Sequence, residues 1–311
     1  MAYCFDPCQP IGDEVRRVAA EQLRTAIIHL RVEPEPAAED IHKARTTLKK
    51  LRSLLRLVRS HLGTATWRGL DGRLRDAGRA LSGRRDADVV IATFDALADR
   101  LVDLVDPRAL EAVRTGLVED AALGGGGSTD AAAVADDLDA IRLAVPGWSI
   151  GDDGFAVVAP AIGRLHQRGR RALADLGESP DDEQLHELRK RVKDLWYQLR
   201  LLQSSWPPVT KVLAAESGVL SDALGDHHDL AVLRGVLCDR HVAAMADAAG
   251  PLLASIDDER TQLEGEARRR AARLYADSPK AWTARLRQWW HAAEAASSRP
   301  GWGRSTDGSR P

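Results

Sequence analysis

The chain has 311 residues, of which 44% are apolar and 5% aromatic, and its 44 Lys and Arg nearly balance its 46 Asp and Glu. This apolar content is enough for a sizeable core, and the many Ala, Leu, Arg and Asp residues favour helices over strands. A net charge of −2 excludes a globally basic nucleic-acid binder. The three cysteines Cys4, Cys8 and Cys238 supply neither a disulfide framework nor four zinc ligands.

The first residues carry neither a basic region nor an apolar region, so the sequence predicts no signal peptide. No apolar run approaches the length of a transmembrane helix. We therefore expect a soluble, cytoplasmic protein that does not associate with membranes.

Apolar residues at helical spacing predict four helices in the first part of the chain. They cover about residues 11–31, a basic stretch that ends near His61, a stretch from Trp67 to Leu81, and one from Asp86 to about Val105. Short loops between successive helices are typical of an antiparallel bundle. Residues 106–154 are less regular, with a flexible linker at Gly124–Gly127 and a short acidic helix at about 129–143.

The second part of the chain repeats this order. Helices are predicted at about 155–176, 182–205 and 207–224, then at 228–247 after a turn at Gly225 and Asp226, and finally at 251–276 and 279–297. We therefore divide the chain into a first bundle half at 11–106, a linker with a short helix at 107–154, a second half at 155–297 and a disordered tail at 298–311. The predicted fold class is all-α, with two pseudo-symmetric four-helix bundles and additional C-terminal helices.

One helical pattern occurs twice, at residues 41–58 and 185–202. Apolar residues follow the same spacing in both copies, which is one face of an α-helix. A second row lies one residue further along, about 100° around the helix. It comprises His42, Arg45, Lys49, Arg52 and Arg56 in the first copy, and His186, Arg189, Lys193, Trp196 and Arg200 in the second. Each cationic row therefore flanks a buried row. This favours a site for a multiply charged anion over a solvated face that pairs with neighbouring acidic residues.

The repeat continues beyond these helices, because LSGRRDADVV (81–90) matches LGDHHDLAVL (224–233). Asp86 and Asp229 are predicted to cap helix starts. The basic residues just before them would then lie beside a helix N-terminus, which favours anions. Capping and anion binding both remain open for this loop.

The sequence contains no P-loop, GxSxG, HExxH or CxxC motif. Its adjacent histidines, His227 and His228, point apart on a helix. We therefore predict a protein that is not an enzyme and that uses no metal or other cofactor.

The pattern His42-x-x-Arg45-x-x-x-Lys49-Lys50-x-Arg52 followed by GRRDADV, together with His186-x-x-Arg189-Lys190-x-x-Lys193-x-x-x-Tyr197 followed by LGDHHDLAV, resembles the CHAD domain (conserved histidine α-helical domain). The resemblance covers about residues 11–295. It implies two four-helix bundles related by a pseudo-twofold axis, with basic helices lining a shared cationic surface or pore. It also implies binding of inorganic polyphosphate and association with polyphosphate granules and granule-associated proteins. The binding residues it implies are His42, Arg45, Lys49, Lys50, Arg52, Arg56, Arg85, His186, Arg189, Lys190, Lys193 and Arg200.

Two departures from the family pattern affect these expectations. Trp196 stands opposite Arg52 in the repeat and Asp194 opposite Lys50, which predicts weaker binding by the second half. Members often carry a preceding CYTH-type tunnel domain marked by ExExK, whereas here only Glu33-Pro34-Glu35-Pro36 occurs and no residues remain for that domain. Its triphosphate-hydrolysing activity is therefore not expected.

Three alternatives compete with polyphosphate binding. The first is a polyphosphate- or triphosphate-processing phosphohydrolase, which needs a metal or a general base that the sequence does not provide on its basic face. The second is nucleic acid, which the scarcity of aromatic residues among the basic ones disfavours. The third is a cationic surface that docks an acidic protein, and the sequence leaves this alternative open.

Overall fold

A computed structural model of the chain describes residues 3–81, 85–101, 103–123, 130–151, 153–241 and 249–297. Over these residues every regular element is helical, which confirms the all-α fold class. The predicted linker at Gly124–Gly127 and the predicted tail at 298–311 lie outside the described residues.

Twelve α-helices make up the described part of the chain. They are α1 (Ile11–Leu30), α2 (Ala38–Leu57), α3 (Arg59–Leu62), α4 (Thr64–Ala80), α5 (Arg85–Leu101), α6 (Pro107–Leu123), α7 (Ala131–Ala144), α8 (Ala159–Ala174), α9 (Asp182–Leu201), α10 (Pro207–Val236), α11 (Ala249–Leu274) and α12 (Pro279–Ser297). Short 3₁₀ turns follow α7, precede α8 and follow α9, and a π-helical turn at Leu237–His241 follows α10. None of these helices is both long and apolar enough to cross a bilayer.

Most predicted helices are confirmed, but α6 was not predicted. It occupies the irregular stretch of the sequence and buries Leu110, Val113, Leu117 and Ala121 on one face. These residues have the spacing of a helix face, so their pattern was sufficient to predict it. The stretch between the predicted halves therefore contains two helices, α6 and α7.

The predicted turn at Gly225 and Asp226 is wrong, because α10 continues through both residues. Gly225 is buried within the helix, and a Cβ atom there would lie 2.7 Å from Nη2 of Arg189. The glycine therefore allows close approach of an arginine from α9. Asp229 consequently lies inside α10 and caps no helix start, and His227 and His228 do not flank a helix N-terminus. The matching Arg85 begins α5, and its side chain lies outside the described part of the molecule, as do Arg84 and the side chain of Asp86.

The apolar core is shared by helices from both parts of the sequence. Its main cluster draws on α1, α2, α4, α7, α8, α9 and α12, together with parts of α10 and α11. A second cluster joins α5 and α6 to the remainder of α10 and α11. Packing of α2 and α9 in one core brings the two basic helices together. The pseudo-symmetry of the halves and their boundaries remain predictions.

Candidate anion-binding cleft

The two basic helices bury the apolar rows that the sequence predicted. In α2, Leu48, Leu51 and Leu55 are at most 2% exposed, and in α9, Leu188 and Val192 are fully buried. Ile41 is the exception, since it is only partly buried. A capping box at Asp181 and Gln184 starts α9. The cationic rows therefore lie at the edge of the core, next to the buried face of each helix.

A cleft of about 170 Å³ opens between α2 and α9. Five predicted binding residues line it: Lys49, Arg52, Arg56, Lys190 and Lys193. Arg191, Asp194 and Tyr197 complete its lining, and none of the three was predicted as a binding residue. Arg191 and Asp194 belong to a neighbouring row of α9 with Glu187, in which charges of both signs alternate. A row with charges of both signs does not by itself predict an anion site, so the sequence did not identify Arg191 as a lining residue.

Lys193 is partly buried in the lining of the cleft. Burial lowers the pKa of Lys193 to about 8, with Arg189 and Lys49 contributing further and Asp222 and Asp229 of α10 opposing the shift. Lys49 comes from α2 and the other two cations from α9, so the fold brings the two predicted rows into one electrostatic field.

Ion pairs restrain three of the predicted cations that line the cleft, and Arg191 is ion-paired as well. Arg52 donates two hydrogen bonds to Asp71 of α4, at 2.8 and 3.1 Å. Nη1 of Arg56 lies 2.7 Å from Oδ1 of Asp194, which joins α2 to α9. Nζ of Lys190 lies 2.5 Å from Glu187. The sequence left open that these cations only pair with acidic residues of neighbouring helices. That description holds for Arg52, Arg56 and Lys190.

Two predicted binding residues, Lys50 and Arg200, contact the ring of Tyr3 instead of lining the cleft. Their cationic groups each lie 5.8 Å from its centroid, and the Tyr3 hydroxyl donates to the carbonyl oxygen of Lys50 at 2.8 Å. Burial, followed by repulsion from Arg200, lowers the pKa of Lys50. Arg200 also covers Trp196, which stacks on Tyr197 as a packing residue. These cation–π contacts compete with any anion for the two side chains.

Four further predicted residues lie outside the cleft lining, in the N-terminal halves of α2 and α9: His42, Arg45, His186 and Arg189. His42 is exposed and Arg45 partly buried on α2. On α9, the ring of His186 lies 5.2 Å from that of His228 on α10. Burial, then the neighbouring His228, Lys190 and Arg189, lower the pKa of His186. His186 in the free protein is therefore protonated at a lower pH than an ordinary histidine.

An acidic row on α10 borders the cationic surface. Asp222, Asp226 and Asp229 share one helix face, and burial together with the other two carboxylates raises the pKa of Asp226. Among the described residues, no group of three or more His, Cys, Asp or Glu side chains could hold a metal ion. The sequence does not predict this row, because the turn expected at Gly225 and Asp226 would divide it between two helices.

A family model described as the CHAD domain matches residues 17–238. The chain belongs to the CHAD family. Matched residues include both basic helices and the whole lining of the cleft. Helices α11 and α12 follow the matched region and still contribute to the core of this CHAD protein.

Two curated relatives come from Mycobacterium tuberculosis. They are the uncharacterized protein MT2285 of strain CDC 1551 / Oshkosh and the uncharacterized protein Rv2226 of strain ATCC 25618 / H37Rv. Each is 28% identical to this chain over 253 residues, which is 76% of this chain and 47% of the relative. The chain thus spans about half the length of these relatives.

Two solved structures share the fold. PptA from Streptomyces chartreusis superposes with a TM-score of 0.57 at 18% identity, covering 86% of this chain and all of that one. The CHAD domain from the plant Ricinus communis gives a TM-score of 0.53 at 19% identity, covering 94% and 95% of the two chains. At these identities the likeness establishes the CHAD fold.

Proposed function

We propose that this CHAD protein binds inorganic polyphosphate in the cleft between α2 and α9, without hydrolysing it, and associates with polyphosphate granules in the cytoplasm. The observation that carries the proposal is the lining of one cleft by cations from two helices, Lys49, Arg52 and Arg56 of α2 and Lys190 and Lys193 of α9. Holding like charges together is unfavourable in the free protein, and a polyanion removes that repulsion. Arginine forks and lysine ammonium groups are both suited to phosphate oxygens.

The aromatic residues at the cleft favour a polymer of phosphate over a nucleic acid. Tyr197 lines the cleft but is 5% exposed. Trp196 lies outside the lining, is partly buried, stacks on Tyr197 and has the guanidinium of Arg200 5.4 Å from its ring centroid. Single-stranded nucleic acids gain much of their affinity by stacking bases on accessible rings. A phosphate chain without bases needs no such ring and uses the cationic groups alone.

Titration with long-chain polyphosphate at about 50 and about 200 mM salt, with single-stranded RNA as competitor, tests this function. We expect binding to weaken steeply with salt, because each neutralised phosphate releases a counterion. RNA is expected not to displace the polymer. An affinity that does not change with salt concentration would argue against a polyphosphate site. Displacement of polyphosphate by an equal concentration of RNA would do the same. Phosphate release measured in the same mixtures with Mg²⁺ or Mn²⁺ tests the non-enzymatic part of the proposal, and we expect none.

Binding is expected to weaken as the pH rises above about 8, the value to which the pKa of Lys193 is lowered in the free protein. A bound polyanion favours the charged amine and raises this pKa, so binding takes up a proton. The contribution of Lys193 is complete below the free-protein pKa and declines as the pH rises toward the pKa of the complex. Dissociation constants for polyphosphate, measured from about pH 7 to about pH 10 at constant salt concentration, test this pH dependence.

The matched variant for this profile is Lys193→Arg, which keeps the positive charge but does not titrate in this range. We expect its affinity to stay level where that of the wild type declines. The same decline in both proteins would assign the pH dependence to another group.

A further inference from the structure

The inner wall of the cleft contains a buried carboxylate between two arginines from different helices. The side chain of Asp194 is 4% exposed. Its Oδ1 lies 2.7 Å from Nη1 of Arg56 on α2, and its Oδ2 lies 3.1 Å from Nη1 of Arg191 on α9. Burial raises the pKa of Asp194, and the two arginines oppose that shift. Each carboxylate oxygen therefore holds one guanidinium group.

Both arginines remain accessible from the cleft. The side chain of Arg56 is 31% exposed and that of Arg191 is 16% exposed, and both line the opening. A guanidinium carries five N–H groups, of which Asp194 accepts one from each arginine. Even with Nε of Arg191 beside Glu187, at 2.9 Å, each fork retains N–H groups for another acceptor. A planar fork fixed on one side by a carboxylate is well oriented for a phosphate oxygen on the other.

We propose that Arg56 and Arg191 form a phosphoryl-binding subsite of the cleft and that Asp194 is its positioning residue. The subsite rests on the proposed function and states where one unit of the phosphate chain is held. Asp194 does not contact the anion, because its carboxylate would repel it. It keeps the two forks at a constant separation although they belong to different helices. Asp194 occupies the position that Lys50 has in the first copy of the repeat. In this subsite it supports binding, although it replaces a cation.

The comparison of Asp194→Asn with Asp222→Asn tests the subsite. Both changes remove one negative charge next to the cationic surface, and Asp222 is exposed on α10 within electrostatic reach of Lys193. If charge alone mattered, both variants would bind long-chain polyphosphate more tightly. If Asp194 positions the forks, we expect Asp194→Asn to bind roughly tenfold more weakly and Asp222→Asn to bind at least as tightly as the wild type.

A second variant, Arg56→Lys, tests the subsite independently in case Asp194→Asn does not fold. Arg56→Lys keeps the positive charge and loses the planar fork, and we expect it to bind roughly fivefold more weakly. In Asp194→Asn the dependence of log Kd on log salt should become shallower, because a displaced arginine no longer neutralises its phosphate, whereas Arg56→Lys keeps its charge and should keep the wild-type slope. Loss of folding stability alone leaves that slope unchanged. Circular dichroism confirms that each variant is folded during the titration.

The outcomes separate the subsite from the proposed function. If wild-type protein does not bind polyphosphate, the function itself is wrong. If the wild type binds and Asp194→Asn binds as tightly as Asp222→Asn, the subsite is wrong while the function stands. If Asp194→Asn does not fold, Arg56→Lys and Arg191→Lys decide, and wild-type affinity in both overturns the subsite.

Discussion

Replacement of both Lys49 and Lys193 by glutamate is expected to weaken polyphosphate binding by roughly 1,000-fold at low salt. The two lysines come from α2 and α9 and contribute to one electrostatic field in the cleft. Each lost charge-assisted contact is worth about 1.5–3 kcal/mol, and each tenfold change in affinity corresponds to about 1.4 kcal/mol. The new carboxylates add repulsion. Fluorescence anisotropy or calorimetric titration with long-chain polyphosphate measures the change.

The matched control replaces two lysines outside the cleft. Lys211 on α10 and Lys280 on α12 are exposed, so Lys211→Glu with Lys280→Glu changes the net charge by the same amount. We expect less than roughly a threefold loss of affinity for this pair, because solvent and salt screen distant surface charges. Equal losses in the two double variants would mean that net charge controls binding and that the cleft is not the site.

Replacement of Trp290 by alanine is expected to lower the free energy of unfolding by about 3–5 kcal/mol. Trp290 belongs to α12 and is 1% exposed. Its ring lies 6.5 Å from Phe5 and 5.9 Å from Phe155, and its Nε1 donates to Glu294 at 2.6 Å. One side chain therefore connects the N-terminal segment, the turn before α8 and the last helix. Chemical denaturation monitored by far-UV circular dichroism measures the change.

Trp206→Ala is the control for this loss of stability. Trp206 is 46% exposed and contacts Trp289 edge to face, at 5.1 Å. We expect it to lower the free energy of unfolding by about 1 kcal/mol, the size of a single aromatic contact. Similar losses in the two variants would show that α12 lies outside the cooperative core, although it follows the region matched by the family model.

Helical periodicity alone was sufficient to predict most of the fold and half of the cleft. The repeated apolar spacing correctly identified the buried faces of α2 and α9, because a helix places residues three and four apart on one side. The same geometry placed Lys49 and Lys193 at the edge of the core. The apolar residues of α6 have the same helical spacing, so this helix could also have been predicted. It was missed because the sequence around it is rich in turn and linker residues.

The error at Gly225 has a different cause. A glycine followed by aspartate is a common turn signal, and the sequence alone favoured a turn between two helices. In the fold, Gly225 lies inside α10 and leaves room for the guanidinium of Arg189. The sequence of α10 alone does not show whether this glycine permits a turn or close packing. The packing of α9 against α10 shows that it permits close packing.

The sequence by itself determined the all-α class, the two basic helices, the membership in the CHAD family and five of the side chains that line the cleft. Tertiary structure alone decided how those charges are used. It paired Arg56 with Asp194, placed Arg191 in the cleft and put Lys50 and Arg200 against Tyr3. Periodicity is a property of one helix and can be read from neighbouring residues. Charge pairing depends on which helices meet, and that is settled only when the shared core forms.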